Sequence, residues 1–484
     1  MTSLLFHDSF DFLARTRPHQ LCIDDGVRAL NYAEAATEVN RLANGLLSLG
    51  LKSGDRFGYL SKNRVDMWLL YLAAARTGVV PAPLNYRLAA AEWRYILDDA
   101  EALAVMVEAD YVDAIEDIRG ELPRIRNFIA IGAKPYMGWI DYGAWLAGQP
   151  THAIETRVLP GDVFYQMYTS GTTGRPKGVI VTHANYAANL SQAMIMITRR
   201  PSVGQVALVV TPLYHAAAVW ICAFCTNLGL SILLHRDFDA SHVVDTLERR
   251  GVVFTFLVPA MIQACLTQVA DVTSRDFSAL GILMYGASPI AEDTLRRAIN
   301  LFGCDVYQAY GMIEITACLT LLGAEEHRRA LAGRAGLLLS AGRAMPGTEL
   351  RIVDSEDGEV GPGTVGEIVA RGPQIVPGYW RQAKATADFL RGGWAHTGDA
   401  GMIDGNGYLY ICGRIKDMVV SGGENIYPRE IESVLFDHPS IIDAAVIGVP
   451  DETYGEALPR NASGKVLKTE LRAPYWQGRG RSVG

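Results

Sequence analysis

Residues 168–183 read YTSGTTGRPKGVIVTH, an apolar approach that ends in small hydroxyl residues and glycines and is followed by Lys177. Such a loop suits a phosphate: glycines let backbone N–H groups turn toward an anion, hydroxyls add donors, and the lysine ammonium supplies charge. It is not a Walker loop. Counted from Gly171, Pro176 stands where the second glycine of that motif belongs, and Gly178 follows the lysine. The plainer reading is a Ser/Thr/Gly linker, but the segment lies between strand-like sequence and a helical pattern, not between domains. A second glycine pattern, GPGTVG at 361–366, satisfies G-x-G-x-x-G yet follows the acidic turn DSEDGE and opens no helix, so it is set aside.

Elements that could position such a loop surround it. YAEAATEVNRLANGLLSLGL (32–51) is apolar at helical spacing, RFGYLS (56–61) reads as a strand, and a further helix precedes GVVPAPLN. QVALVVTPL, GVVFTFLVP and LGILMYGAS are short apolar runs closed by Pro, Gly or Ser, as buried parallel strands are, and ligands gather at the C-terminal ends of such strands. Between about Leu337 and Asp404 the texture changes to short strands and turns, and a further strand, turn, helix and strand pattern follows Gly413.

The bulk properties bound the function. A chain of 484 residues exceeds the roughly 250–300 that one core supports, so more than one folded unit is expected. With 49% hydrophobic and 20% charged residues it has the composition of a globular protein; a net charge of -8 and the lack of a long basic run argue against nucleic acid. The N-terminus lacks a basic stretch followed by an apolar run, which predicts a cytoplasmic protein. The richest apolar window, MWLLYLAAARTGVVPAPL, is interrupted by Arg76, Gly78 and Pro81, so no membrane span is expected. Cys222 and Cys225 are the one C-x-x-C pair, and their i, i+3 spacing in VWICAFC fits a buried helix better than a redox or zinc site.

YTSGTTGRPKG resembles the phosphate loop of the adenylate-forming superfamily of acyl-CoA synthetases, peptide-synthetase adenylation domains and luciferases. The resemblance continues in order through PLNYRL, PLYHAA, YGASPI, QAYGMIEIT, GEIVARGP, GYW, GWAHTGD, GRIKDMVVSGGENIYPREIE and LPRNASGKVLKTELR. It implies an α/β fold: a large N-terminal domain (1–415) of layered α/β sheets with a β-rich subdomain, and a small mobile α+β C-terminal domain (416–484). It also implies a reaction in which a carboxylate attacks the α-phosphorus of ATP, pyrophosphate leaves, and the acyl group passes to coenzyme A. A carboxylic acid is already ionised at neutral pH, so positioning, Mg2+ and cationic clamps should carry catalysis.

The same resemblance assigns residues. Thr169, Ser170, Gly171, Thr172, Thr173, Gly174 and Lys177 would hold the departing phosphates, and Glu314 the magnesium ion. Gly286, Ala287 and Ser288 with Gln308, Ala309, Tyr310 and Gly311 would flank adenine, and Asp399 with Arg414 would take the ribose. Lys465 would bridge the carboxylate and α-phosphate, Lys416 would be the hinge, and Gly422 and Gly423, with Arg87, would line the coenzyme A path. His215 would close the carboxylate end of an acyl pocket walled by Trp220, Phe256, Val258, Met312 and Ile313. Two rival readings remain: an adenylating enzyme that loads a carrier-protein thiol, and a degenerate nucleotide-binding protein. The acid stays open between fatty and aromatic acids such as hydroxycinnamates.

The sequence departs from the family pattern twice. YGMIE stands where Y-G-x-T-E is usual, which exchanges a hydroxyl for the Ile313 side chain. Ala457 also runs directly into Leu458-Pro459-Arg460, where the family has further strands and a helix; intact motifs on both flanks favour a molecule with an additional segment over a true deletion. The two cases predict different chemistry. In a chain of the 52.7 kDa expected from this sequence, Lys465 lacks the sheet that would place it, and Lys465→Ala should cost little adenylation. In a heavier chain the same change should cost several kcal/mol, on the order of an oxyanion-donor loss. Intact mass together with pyrophosphate exchange by the variant separates them.

Overall fold

A computed structural model describes residues 4–132, 137–155, 157–169, 175–421, 424–428, 431, 432, 435 and 445–447. The apolar runs are parallel strands. Val206–Val209 pairs with Val252–Leu257, which pairs with Ile282–Gly286. With Asp305–Tyr310, Ser231–Leu234 and Leu21–Asp24 they form the parallel centre of a nine-stranded sheet. Its margins are short and antiparallel: Ala29–Asn31 on one side, Thr320–Leu322 and Arg343–Ala344 on the other. A second sheet, entirely parallel, has the order Val80–Leu84, Arg56–Leu60, Ala104–Glu108, Asn127–Ile131, Ile140–Asp141.

Side chains alternate across each strand, and the cores follow that alternation. Ala207, Val209, Phe254 and Met284 enter one core, and Leu208, Leu257 and Leu283 another on the opposite face of the same sheet. From the second sheet Ala104 and Met106 enter the first core, while Val105 and Val107 enter a third. The shared core therefore lies between the sheets. It also takes helices Val65–Thr77 and Ala216–Asn227, which are apolar almost all round because both sides are covered. Cys222 and Cys225 sit in the second of these helices as buried free thiols, and burial pushes both thiols up. The layering is helices, sheet, helices, sheet, helices, as the α/β alternation predicts. No helix among the described residues is long and apolar enough to cross a membrane.

Local signals set the ends of elements. Helix Tyr32–Ser48 stops slightly before the apolar pattern does, and it starts at Asn31, whose side chain accepts from the Glu34 N–H while Glu34 accepts from the Asn31 N–H. The turn-rich stretch becomes an antiparallel sheet of Glu349–Val353, Gly366–Arg371, Ala395–Ile403 and Leu409–Arg414, with a core of its own around Ile352, Ile368 and Leu409. GPGTVG is the turn that leads into the second of these strands.

One polar seam joins this sheet to the layers. Helix His183–Met196 buries Asn185, Asn189 and Gln192. Asn185 donates to the carbonyls of Pro373 and Ile375, both at 2.9 Å. Asn189 donates to the Cys318 carbonyl (2.7 Å) and accepts from its N–H (3.2 Å). Gln192 donates to Pro346 O and Gln374 Oε1. Asn189→Ala would leave both Cys318 backbone groups buried without these partners. We expect a loss of about 2 kcal/mol or more, seen as a lower melting temperature; an unchanged melting temperature would show that Asn189, which ties the helix to the nine-stranded sheet's own segment at Cys318, is not needed there.

Candidate active site

The hairpin of Val163–Thr169 and Lys177–Thr182 carries the phosphate-loop sequence, and Thr169 lies opposite Lys177 in its register. Ser170, Gly171, Thr172, Thr173 and Gly174 lie outside the described residues, as do Gly422, Gly423 and Lys465. Lys177 is thus placed at the start of a strand. The Lys177 ammonium lies 5.0 Å from the centre of the Tyr379 ring. The Tyr379 hydroxyl donates to Glu314 Oε1 at 3.0 Å. The backbone beside Tyr379 is bonded to the lysine strand: Ile180 N–H donates to Gly378 O (3.1 Å) and Trp380 N–H to Gly178 O (2.7 Å). Tyr379 therefore connects the two residues that the sequence proposed for phosphate and metal.

Glu314 belongs to a short 3-10 turn, Ile313–Ile315, and is 5% exposed. Burial raises its carboxyl above the usual range; its own backbone N–H, the Tyr379 hydroxyl, and the Arg414 and Lys177 charges pull it back. The turn is closed by Thr316 at φ 65, a left-handed position for a β-branched residue. Thr316 is held there by its hydroxyl, which donates to Gln374 O at 2.7 Å. That hydroxyl is therefore committed and does not replace the one missing at Ile313, whose half-buried side chain packs against the core between the sheets.

The adenine candidates stand where two neighbouring parallel strands end. Gly286 pairs with Ala309 and Tyr285 with Gln308. A Cβ on Gly286 would meet Ala309 O at 2.2 Å, and one on Gly311 would meet Ala317 O at 2.0 Å, so only glycine fits either position. Ala287, the next residue after the first of these, has φ 68. Asp399 and Arg414 face each other across two antiparallel strands, with Arg414 Nε 2.8 Å from Asp399 Oδ1. Tyr310 donates to the other carboxylate oxygen at 2.6 Å, which ties the ribose candidate to the adenine candidate.

The remaining assignments are more dispersed. His215 precedes helix Ala216–Asn227, is exposed, and its ring centre lies 4.6 Å from that of Tyr214. Trp220 is buried and stacked on Phe224, and Phe256, Val258 and Ile313 border the same core. Met312 packs instead against the core of the antiparallel sheet. Arg87 is exposed, 5.6 Å from the Tyr86 ring centre. Lys416 lies in the 3-10 turn Ile415–Asp417. Tyr379 had no role in the sequence reading; its GYW motif was visible, but nothing local to it names Glu314 as a partner.

The layered fold, the glycine-only strand ends and the lysine, glutamate, aspartate and arginine gathered beside them define an adenylate-forming enzyme. Residues 10–380 match the AMP-binding enzyme model and residues 430–465 the AMP-binding enzyme C-terminal domain, and the chain belongs to this family. It is 33% identical to the fatty acid–[acyl-carrier-protein] ligase ScoC of Streptomyces coeruleorubidus, over 97% of this chain and 95% of that one. It is 36% identical to a feruloyl-CoA synthase of an Amycolatopsis species, over 92% and 85%. The ATP-bound structure of MatB from Rhodopseudomonas palustris superposes with a TM-score of 0.85 at 28% identity, over 98% of this chain and 99% of that one.

Burial of the Glu314 carboxyl yields a test in which stability and activity move in opposite directions. A raised carboxyl opposes folding once it is ionised, so the penalty is full above the folded value and absent below the unfolded one, about 4.3. Glu314→Gln should therefore raise the melting temperature of the nucleotide-free protein at neutral pH, with the gain fading toward pH 4. The same variant should slow pyrophosphate exchange by about a hundredfold or more. A neutral-pH melting temperature that falls would show that the ionised carboxylate is stabilising where it lies.

Proposed function

We propose that this enzyme joins a carboxylic acid to the AMP moiety of ATP, releases pyrophosphate, and passes the acyl group to coenzyme A. The observation that carries the reading is the meeting of Lys177 and Glu314 on Tyr379, with the Arg414 charge acting on the same carboxylate. ATP and an acid carboxylate repel, and a site that holds fixed cations near the triphosphate lowers that repulsion without a general base. In this reading Lys177 and the loop it follows hold the leaving phosphates. Asp399, the carboxylate that Tyr310 and Arg414 hold in place, is the acceptor for the ribose hydroxyls. Gly286, Ala287, Gln308, Ala309 and Gly311 border the slot for adenine.

Magnesium fits the same carboxylate. One carboxylate together with phosphate oxygens is an ordinary set of ligands for this ion, and Glu314 is a buried carboxylate with a single hydroxyl donor on Oε1 and cationic neighbours beyond it. When bound, the ion would neutralise charge on the phosphate oxygens. His215, Trp220, Phe256, Val258 and Ile313 belong to the acyl side of the proposal, with Met312 at its margin. Lys416 as a hinge near the 415/416 boundary, Lys465 as the mobile lysine, and Arg87, Gly422 and Gly423 on the thiol path rest on the motif resemblance alone.

The acceptor has a second reading, because ScoC, a fatty acid–[acyl-carrier-protein] ligase, is similar over almost the whole chain. A panel of fatty and aromatic acids, scored for AMP release with and without free coenzyme A, decides between them. Acyl-CoA formation is expected; AMP release that responds only to a carrier protein would establish the second reading. Asp399→Ala should raise the KM for ATP roughly tenfold with a smaller change in kcat, since the ribose is held alike in ground and transition states. An unchanged ATP dependence would move the ribose site elsewhere.

A further inference from the structure

Helix Ala90–Asp99 lies outside the constellation just described, yet two of its side chains meet both roots of the phosphate-loop hairpin. Tyr95 and Asp99 are four residues apart and therefore share one helix face. Asp99 Oδ2 accepts from the hydroxyl of Tyr168, which precedes the loop, at 2.8 Å. The Tyr95 hydroxyl donates to the carbonyl of Pro176, which follows the loop, at 3.1 Å. The Arg175 guanidinium lies 5.6 Å from the centre of the Tyr95 ring. Tyr168 is further tied by Gln166, whose amide donates to its oxygen at 2.9 Å and accepts from Arg56 Nε at 3.2 Å. The guanidinium of Arg56 lies 3.4 Å from the Trp380 ring centre, next to the tyrosine that meets Lys177 and Glu314. At the end of the helix Glu101 pairs with Arg381.

We propose that Tyr95 and Asp99 are positioning residues: one helix face grips the hairpin at Tyr168 and Pro176, the two roots of the phosphate loop, and so sets where Lys177 stands when ATP binds. A hairpin pinned at one root alone can pivot about it. Two pins on the same rigid helix remove that freedom before the nucleotide arrives, and preorganised donors are the ones that count in a transition state. Neither residue touches substrate in this account. The inference rests on the reading that residues 169–177 hold the triphosphate.

The test uses the full chain with Tyr95→Phe and Tyr168→Phe, which each delete one hydroxyl and keep the ring. Each should lower kcat/KM for ATP in pyrophosphate exchange by roughly 3- to 10-fold, the equivalent of one hydrogen bond. Conversion of supplied acyl-adenylate and coenzyme A into acyl-CoA should stay at the wild-type rate, because that half-reaction has no triphosphate to place. A merely structural role would lower both half-reactions together, and that result overturns the proposal. Lys177→Ala is the control for the underlying reading. If it impairs exchange while both phenylalanine variants match wild type, the grip is refuted and the phosphate site stands. If Lys177→Ala leaves exchange intact, the phosphate site itself falls, and the grip with it.

Discussion

A buried carboxylate governs the arrangement of this molecule. Glu314 is almost fully withdrawn from water, and burial works against its charged form. Its own backbone N–H offsets part of that cost, and the rest of what offsets it comes from elsewhere in the chain: the Tyr379 hydroxyl from the segment after the antiparallel sheet's second strand, and the charges of Lys177 and Arg414 from two different hairpins. The turn that presents Glu314 would not close by itself, since Thr316 occupies a left-handed conformation. The Gln374 carbonyl holds Thr316 there, and Gln192 holds the Gln374 side chain. The amide-lined helix His183–Met196 thus serves the site by fixing the far side of the turn. It follows directly from the Lys177–Thr182 strand, so one continuous stretch of chain supplies both the cation and the support for the anion.

The candidate site is built from ordinary structural parts. The strand ends at Gly286 and Gly311 admit only glycine because backbone carbonyls lie too near for a Cβ. Between those two glycines Tyr310 donates to Asp399. Burial, close approach and a few charge-assisted bonds place the groups.

Much of this was legible in the sequence, for identifiable reasons. The parallel strands announced themselves as unbroken apolar runs because both of their faces are covered, and the C-x-x-C pair was correctly read as core because its helix is apolar on every side. The glycine-rich segment before Lys177 stands out because it is a local pattern between two strands. The Tyr379 contact with Glu314 was not legible, since the partners are 65 residues apart and meet only after the antiparallel sheet has docked on helix His183–Met196. The pairing of Met312 with the antiparallel core is illegible for the same reason: in YGMIE neighbouring residues are divided between two cores, and nothing in their order says which goes where.

The margins of the nine-stranded sheet have a consequence for synthesis on the ribosome. Strand Leu21–Asp24 emerges early, but its parallel partner, with Ile23 opposite Ile232, is made about two hundred residues later. At ordinary elongation rates that is a delay of roughly 10 to 40 seconds. Through it, the one partner at hand is Ala29–Asn31, the three-residue antiparallel strand that follows. In the finished sheet this strand and Arg343–Ala344 form the two borders, and each offers so few backbone groups that a neighbouring chain finds little to pair with. The three-residue strand Ala29–Asn31 is thus the neighbour that Leu21–Asp24 can pair with first, and in the finished sheet it is the short border beyond it.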